Sequence, residues 1–396
     1  MSAPVRRPSL AFLIILGAVS PGSIHIIGPS LPAIAQDLAV DTAAVQWSLT
    51  LYIATLAVGQ LLIGSLSDRF GRRTMIFAGM SIYVLGALLC AFSVSLPMLL
   101  AGRTIQGIGA CAGSVLGRAM IRDTYPVDRR PSALAYLSMG ITVAPTISPI
   151  VGGLLAPLIG WRGIFDVLAA IAAGLILVAS TQPETLPVKA ENFGLGPFFR
   201  NFFYLLRMPA FAGYTAFSAL QNLPYFAFVG VAPVLSLNVI GMKPADYGLY
   251  YAMIPLSFML GSFVTARLRG RFLTPRRGTQ LGSFGIATAG TTMAVLLITL
   301  GPSPAVLFAP MAVMVFMQGL VMPHVTIMIL GMEPRLVGAA SGTLGFVQMS
   351  SGALGSMFIS FFDAHTTLPI ALMVATASML AVPAALFGLR HSRNLA

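Results

Sequence analysis

Charge is what this 396-residue chain has least of: only 9% of its positions are charged, against 57% hydrophobic. A water-soluble globule carries about a quarter charged residues, so that class is excluded and a membrane protein is expected. Acids are the scarcer sign, 11 against 23 bases, for a formal net charge of +12. Basic runs interleaved with aromatics in a polar domain are missing, so the excess does not point to nucleic acid. The two cysteines, Cys90 and Cys111, sit in apolar segments without pairing or metal-ligand spacing and read as packing residues. Also absent are a metal-ligand cluster, a nucleophile beside a base, a phosphate loop and an appended soluble domain. That leaves an enzyme or a sensor without support, and no cofactor or metal is expected.

What is present is a succession of apolar runs of about 20 residues or more, which in lipid can satisfy their backbone groups only as helices. Twelve spans are expected, at about 10–31, 43–66, 74–95, 97–121, 132–158, 162–181, 209–235, 245–268, 279–301, 304–330, 337–361 and 366–389. Arg6 and Arg7 ahead of Leu10 to Val19 have the outline of a secretory signal. The run continues past Pro21 to Leu31, with no small-x-small site after it, and so reads as an uncleaved first span. Of the 23 bases, all but Arg103, Arg162 and Lys243 then fall on one side. The positive-inside rule makes that side, and both termini, cytoplasmic.

The longest hydrophilic connection, about 182–208, divides the spans evenly into units 1–181 and 209–396. Its Phe198, Phe199, Phe202, Phe203 and Tyr204, beside Arg200 and Arg207, suit either an amphipathic helix on the inner leaflet or an aromatic-rich linker. Gly261-Ser262 before an Arg-rich turn weakly echoes Gly64-Ser65, consistent with two related halves.

Three features invite chemistry. The first is the turn Gly64-Ser65-Leu66-Ser67-Asp68-Arg69-Phe70-Gly71-Arg72-Arg73 between the second and third spans. Gly71 allows a backbone conformation closed to other residues, and the charges can sit only at the water interface or pair with one another. A topological anchor needs the bases alone; Asp68 is what it leaves unexplained. The second is the fifth span, where Pro145 and Pro149 remove backbone donors while Gly152 and Gly153 admit a neighbouring helix, giving an ordinary kink or a gating hinge. The third is Arg103, inside the fourth span. A guanidinium at that depth is costly unless it meets water or a partner, and no acid lies deep within a span; Asp166, near the outer start of the sixth, is the nearest candidate. Arg103 either snorkels outward or faces a cavity, where it binds a substrate anion or organises polar groups.

Further motifs occur in order. The first span ends Gly28-Pro29-Ser30-Leu31-Pro32-Ala33-Ile34-Ala35, the second holds Val45-Gln46-Trp47 and Gly59-Gln60, and the fourth opens Arg103-Thr104-Ile105-Gln106-Gly107-Ile108-Gly109. The fifth carries Ala144-Pro145-Thr146-Ile147-Ser148-Pro149-Ile150-Val151-Gly152-Gly153. Together with the charged turn these resemble the major facilitator superfamily, and within it the drug:proton antiporter branch of the bicyclomycin and chloramphenicol resistance type. The resemblance implies an all-α integral membrane fold of twelve helices in two pseudo-symmetric six-helix bundles. It also implies a monomeric exporter of amphipathic small molecules in the cytoplasmic (inner) membrane, working by alternating access with proton antiport.

The resemblance assigns roles as well. Gly64, Asp68, Arg69, Gly71, Arg72 and Arg73 become half of a cytoplasmic latch, Arg72 pairing with Asp123 and Asp68 facing the start of the eleventh span near Ser341. Pro145, Pro149, Gly152 and Gly153 become the antiporter hinge. One position departs from the family: where this branch usually carries aspartate, four residues before Pro29, stands His25. Histidine can take up a proton near neutral pH but adds no fixed negative charge. Beside Arg103 it leaves the outer cavity neutral to positive, which favours a neutral, zwitterionic or anionic substrate. If protons couple, His25 is the expected carrier, with Asp166 modulating it; a packed, hydrogen-bonded histidine is the alternative. His324 and His365 are weaker candidates.

Tyr52, Gln106, Gln221, Asn222, Tyr225, Phe226, Tyr250, Tyr251 and Gln348 would line the cavity, or would serve helix-helix hydrogen bonding. A second reading is a facilitator or importer of a small organic anion with Arg103 as counter-charge; the prolines and glycines of the fifth span argue against it.

Overall fold

The structure, a computed structural model, describes residues 7–126, 128–186, 196–268, 274–333, 336–363 and 366–392. His365 and the bases Arg6, Lys189, Arg269, Arg271, Arg335 and Arg393 lie outside the described residues. The described elements are helical: α1 Leu10–His25, α2 Leu31–Asp37, α3 Thr42–Phe70, α4 Arg72–Ala91, α5 Leu96–Thr124, α6 Arg130–Thr181, α7 Gly196–Leu206, α8 Pro209–Val234, α9 Pro244–Leu268, α10 Pro275–Leu300, α11 Pro304–Gly331, α12 Val337–Ile359 and α13 Leu368–His391. Among the described residues nine helices are long and apolar enough to cross a membrane.

One of those nine, Ser132–Thr181, is 50 residues long, about 75 Å at a rise of 1.5 Å per residue and more than twice the bilayer core. The spans expected at 132–158 and 162–181 are therefore one helical run, α6. It turns at Gly160, whose φ of 70° and ψ of 173° are open to glycine, so the chain reverses direction without a loop. Pro145 and Pro149 lie within this run, but the residue of α6 that leaves helical dihedrals is Gly160. The expected first span also divides, at a 3-10 turn over Gly28–Ser30. Proline opens α5, α6, α8, α10, α11 and α13 at the first or second position, where its missing N–H has no intrahelical partner to lose.

The helices pack in two groups. In one, α1 and α4 lie on α6 while α3 and α4 lie on α5; in the other, α8 packs on α12 and α13, α9 on α11, and α10 on α11 and α13. The groups meet mainly through α6 on α9 and α3 on α12. Between them, residues 196–206 of the connection form α7, so a helix and not a bare linker is what these described residues adopt, with the Phe202 ring 5.9 Å from Phe346 of α12.

Candidate functional site

The charged turn is built around Gly71, which closes α3 and opens α4 at φ 104° and ψ 149°. That dihedral pair swings Arg72 inward, where it is 2% exposed. Its guanidinium contacts Asp68 at 2.6 Å and Asp123 of α5 at 3.0 Å. Arg73 donates to the Ala179 carbonyl at 3.1 Å and to Ser180, tying α4 to the end of α6. Arg69 is exposed over the Phe70 ring, and Gly64 faces open space. The inter-helix partner expected for Asp68 is not met: its side chain is half-exposed and taken by Arg72 one turn on, while Ser341 is exposed and makes no hydrogen bond to it. All these ion pairs lie within the group α1–α6.

A residue without a role in the sequence analysis completes the turn. Glu184 Oε1 accepts from the backbone N–H of Arg72 at 2.9 Å, Thr185 at 2.8 Å and Leu186 at 3.1 Å, and Oε2 accepts from Arg73 at 3.1 Å. A carboxylate is thereby held on the amino terminus of α4, where the dipole favours it. Its signal is faint, a lone acid just past the sixth span, and only the tertiary structure brings it to Gly71. Glu184→Ala is expected to cost about 1 kcal/mol, the usual worth of a cap. Thermal unfolding of the purified protein measures this, with Glu184→Gln losing less because an acceptor remains.

Arg103 neither snorkels nor faces an open cavity: its exposure is 0%. The guanidinium stacks 4.1 Å from the Tyr52 ring centroid and 5.9 Å from that of Phe165. Nη1 donates to Gln106 Oε1 at 2.6 Å and Nε to the Ser48 carbonyl at 3.4 Å, while Nη2 has no hydrogen-bond partner. Asp166, the expected counter-charge, is exposed and forms no ion pair with Arg103. The reason is helical phase: the preceding residue, Phe165, turns inward and offers its ring. Around this core Tyr52 donates to the Ser20 carbonyl at 3.2 Å, and Ser23 is hydrogen-bonded to Tyr83, a pair that no motif announces.

His25, in the last turn of α1, is 5% exposed and meets the other group. Its Nδ1 is 3.0 Å from the Tyr251 hydroxyl on α9, which is 3.5 Å from that of Tyr225 on α8. Tyr225 also stands edge-on to His25 and to Phe226, with centroids at 6.3 and 5.2 Å. The other expected lining residues scatter. Gln221 is buried with neither amide atom hydrogen-bonded, Asn222 donates to the Ser218 carbonyl, Gln348 is half-buried, and the exposed Tyr250 lies on Phe308. His324 is buried against Gly278.

At the end of the molecule opposite the charged turn the two groups are pressed together. A Cβ on Gly248 of α9 would lie 2.5 Å from the Pro149 carbonyl oxygen, and one on Gly153 would lie 2.9 Å from the Pro244 carbonyl carbon. Thr50 and Ser356 are hydrogen-bonded across α3 and α12 at 2.7 Å, and Trp47 meets Phe361 edge-on at 5.6 Å. Beyond this seal lies a surface cleft of about 970 Å³ whose walls include Pro29, Gln36, Asp41, Asn238 and Pro244, and no expected site residue.

The sequence pattern of the Major Facilitator Superfamily matches residues 13–356. The chain is 32% identical to the uncharacterized MFS-type transporter YdgK of Bacillus subtilis over 98% of its own length and 97% of that protein. It is 31% identical to multidrug resistance protein D of Escherichia coli, covering 88% and 87%, and 27% identical to a bicyclomycin resistance protein homolog of Haemophilus influenzae, covering 98% of each. Its fold superposes on a crystal structure of the peptide transporter POT in complex with alafosfalin with a TM-score of 0.78 at 15% identity, covering 98% of this chain and 94% of that one. The chain therefore belongs to the major facilitator superfamily, and it is a multi-pass membrane transporter rather than an enzyme.

Proposed function

We propose that the chain is a secondary active exporter of amphipathic small molecules in the cytoplasmic (inner) membrane, working as a monomer. Twelve crossings, with α6 supplying two, put both termini in the cytoplasm and make units 1–181 and 209–396 the two rocking bundles, joined by 182–208. The seal around Gly153, Gly248 and Thr50, together with the unlatched Asp68, corresponds to the inward-facing state of that cycle. Relatives that carry the names multidrug resistance protein and bicyclomycin resistance protein homolog support efflux as the direction.

The observation that carries the reading is the His25–Tyr251 hydrogen bond. It joins an imidazole to the opposite bundle, so parting the bundles breaks the bond and exposes to water a group that, once there, takes up a proton near neutral pH. Proton antiport through His25 follows, with Tyr251 as the group that holds it in the sealed state. With no acid near His25 or Arg103 among the described residues, the substrate is neutral, zwitterionic or anionic. The buried guanidinium of Arg103 organises Tyr52, Gln106 and Ser48 instead of meeting the substrate, which weighs against an importer that uses it as counter-charge.

Proteoliposomes loaded to give an imposed pH gradient test this, with radiolabelled bicyclomycin as the probe. Wild-type protein is expected to accumulate the probe against its gradient, and His25→Ala to lose the response to the pH gradient while keeping the fold. Equal accumulation by the two proteins would remove His25 from coupling.

A further inference from the structure

We propose that α7 carries a binding face for the headgroups of anionic phospholipids. Its exposed residues Arg200, Phe203 and Tyr204, with the exposed Arg207 one residue past its end and still donating its N–H to the Phe203 carbonyl, recur at the three- and four-residue spacings that put them on one helical stripe, the two arginines flanking the two aromatics. The rings are well out, Phe203 at 59% and Tyr204 at 51% exposure. The opposite side is engaged at two described residues: Leu205 is fully buried and Phe202 lies against Phe346. The stripe is therefore not a lapse in an otherwise loose segment; α7 is docked on one side and left uncovered on the other.

Two observations select the occupant. Pro209 begins α8 two residues after Arg207, so the stripe sits at the level where the chain enters the apolar layer. Aromatic rings there are comfortable in the headgroup region and costly in open water. The stripe is also purely cationic: no acid occurs between residues 196 and 208, and neither arginine forms an ion pair among the described residues. A guanidinium offers a planar fork of donors that matches a phosphate. Phosphate outside and rings below is the layering of a phospholipid surface, and a net negative headgroup such as phosphatidylglycerol suits it better than a zwitterionic one. Because Phe202 seats α7 on Phe346, headgroup binding also anchors the first turns of α12, the helix that meets α3 across the two groups.

The inference rests on the reading of this end as the cytoplasmic face only for which leaflet is bound. The experiment reads lipid contact in either orientation, so its failure is separate from a failure of the transport reading. A Tyr204→Trp reporter is reconstituted in phosphatidylcholine containing a minor share of brominated lipid, either phosphatidylglycerol or phosphatidylcholine. Quenching is corrected for Trp47 and Trp161, which lie at the opposite end, by the same titration of the unsubstituted protein. Brominated phosphatidylglycerol is expected to bind more tightly at the reporter than brominated phosphatidylcholine, by about fivefold for each arginine. Raising the salt concentration should erase the preference, as should Arg200→Gln with Arg207→Gln, while quenching by either lipid persists. Equal quenching by the two lipids in the reporter protein would overturn the headgroup assignment. No quenching by either would take α7 off the bilayer, and loss of the preference on adding soluble glycerol phosphate would give the stripe to a free phosphate.

Discussion

Replacing Arg72 with alanine is expected to destabilise the protein by about 3–5 kcal/mol, the cost of breaking a buried ion pair from one side. Arg72 is 2% exposed, and its Asp123 partner is nearly as buried, with a side-chain exposure of 9%. Without the guanidinium, the ion pair left to Asp123 among the described residues is Arg122 at 3.5 Å, a side chain that is itself 64% exposed. Arg72→Lys should recover little, since one ammonium cannot reach Asp68 and Asp123 in the forked geometry that the guanidinium uses. Asp68→Asn provides the contrast. Asp68 is 49% exposed, so its pair with Arg72 is worth at most about 1 kcal/mol. That variant should fold nearly as well as wild type yet lose transport if Asp68 must meet the start of α12 in the opposite state. Thermal unfolding in detergent and flux in vesicles separate the two effects. An Arg72→Ala protein as stable as wild type would show that the burial of the pair contributes nothing.

A leucine at Gly153 or Gly248 is the second large effect, and it acts on the cycle more than on folding. These glycines let α6 and α9 touch backbone to backbone, with a Cβ at Gly248 only 2.5 Å from the Pro149 carbonyl oxygen. Overpacking of this kind costs about 1–3 kcal/mol. The strain exists only while this end is sealed, so the protein can shed it by opening there. A bias of that size is a factor of about 5 to 150 in a two-state equilibrium. Thr50→Cys reports it: Thr50 is 4% exposed and hydrogen-bonded to Ser356, and the native Cys90 and Cys111 are buried. Labelling of that thiol by a membrane-impermeant maleimide, from the side that carries Trp47, should rise at least about fivefold in the Gly153→Leu background, with transport falling in step. Unchanged labelling would mean that α6 and α9 do not form the gate.

That the charges of the 64–73 turn pair with one another or meet water is legible in the sequence, because a membrane edge leaves them no other choice, whereas Asp123 as the partner of Arg72 was implied only by the family resemblance. The same reasoning fails at Arg103. A search for an acid selects Asp166, yet the neighbour one residue earlier is the one that turns inward. A compensating partner made of ring faces and carbonyl oxygens has no sequence signature, because any apolar helix supplies both. Tyr251 is one of several plausible lining residues, and nothing local marks it as the hydroxyl opposite His25, 226 positions away. Glu184 is hidden for a similar reason: its four donors belong to backbone segments brought together only when α6 returns beside α4. Hydropathy turns the break at Gly160 into a loop between two spans, since it records where polar residues are and not where a single positive φ suffices.

Composition and hydropathy alone determined that this chain is a helical membrane protein, because lipid leaves a backbone no other way to satisfy its hydrogen bonds. The ordered motifs determined its superfamily. Which charges are buried, which proline-rich helix runs on through its prolines, and which hydroxyl meets His25 were decided by tertiary structure, since each depends on helical phase and on contacts between segments far apart in the chain.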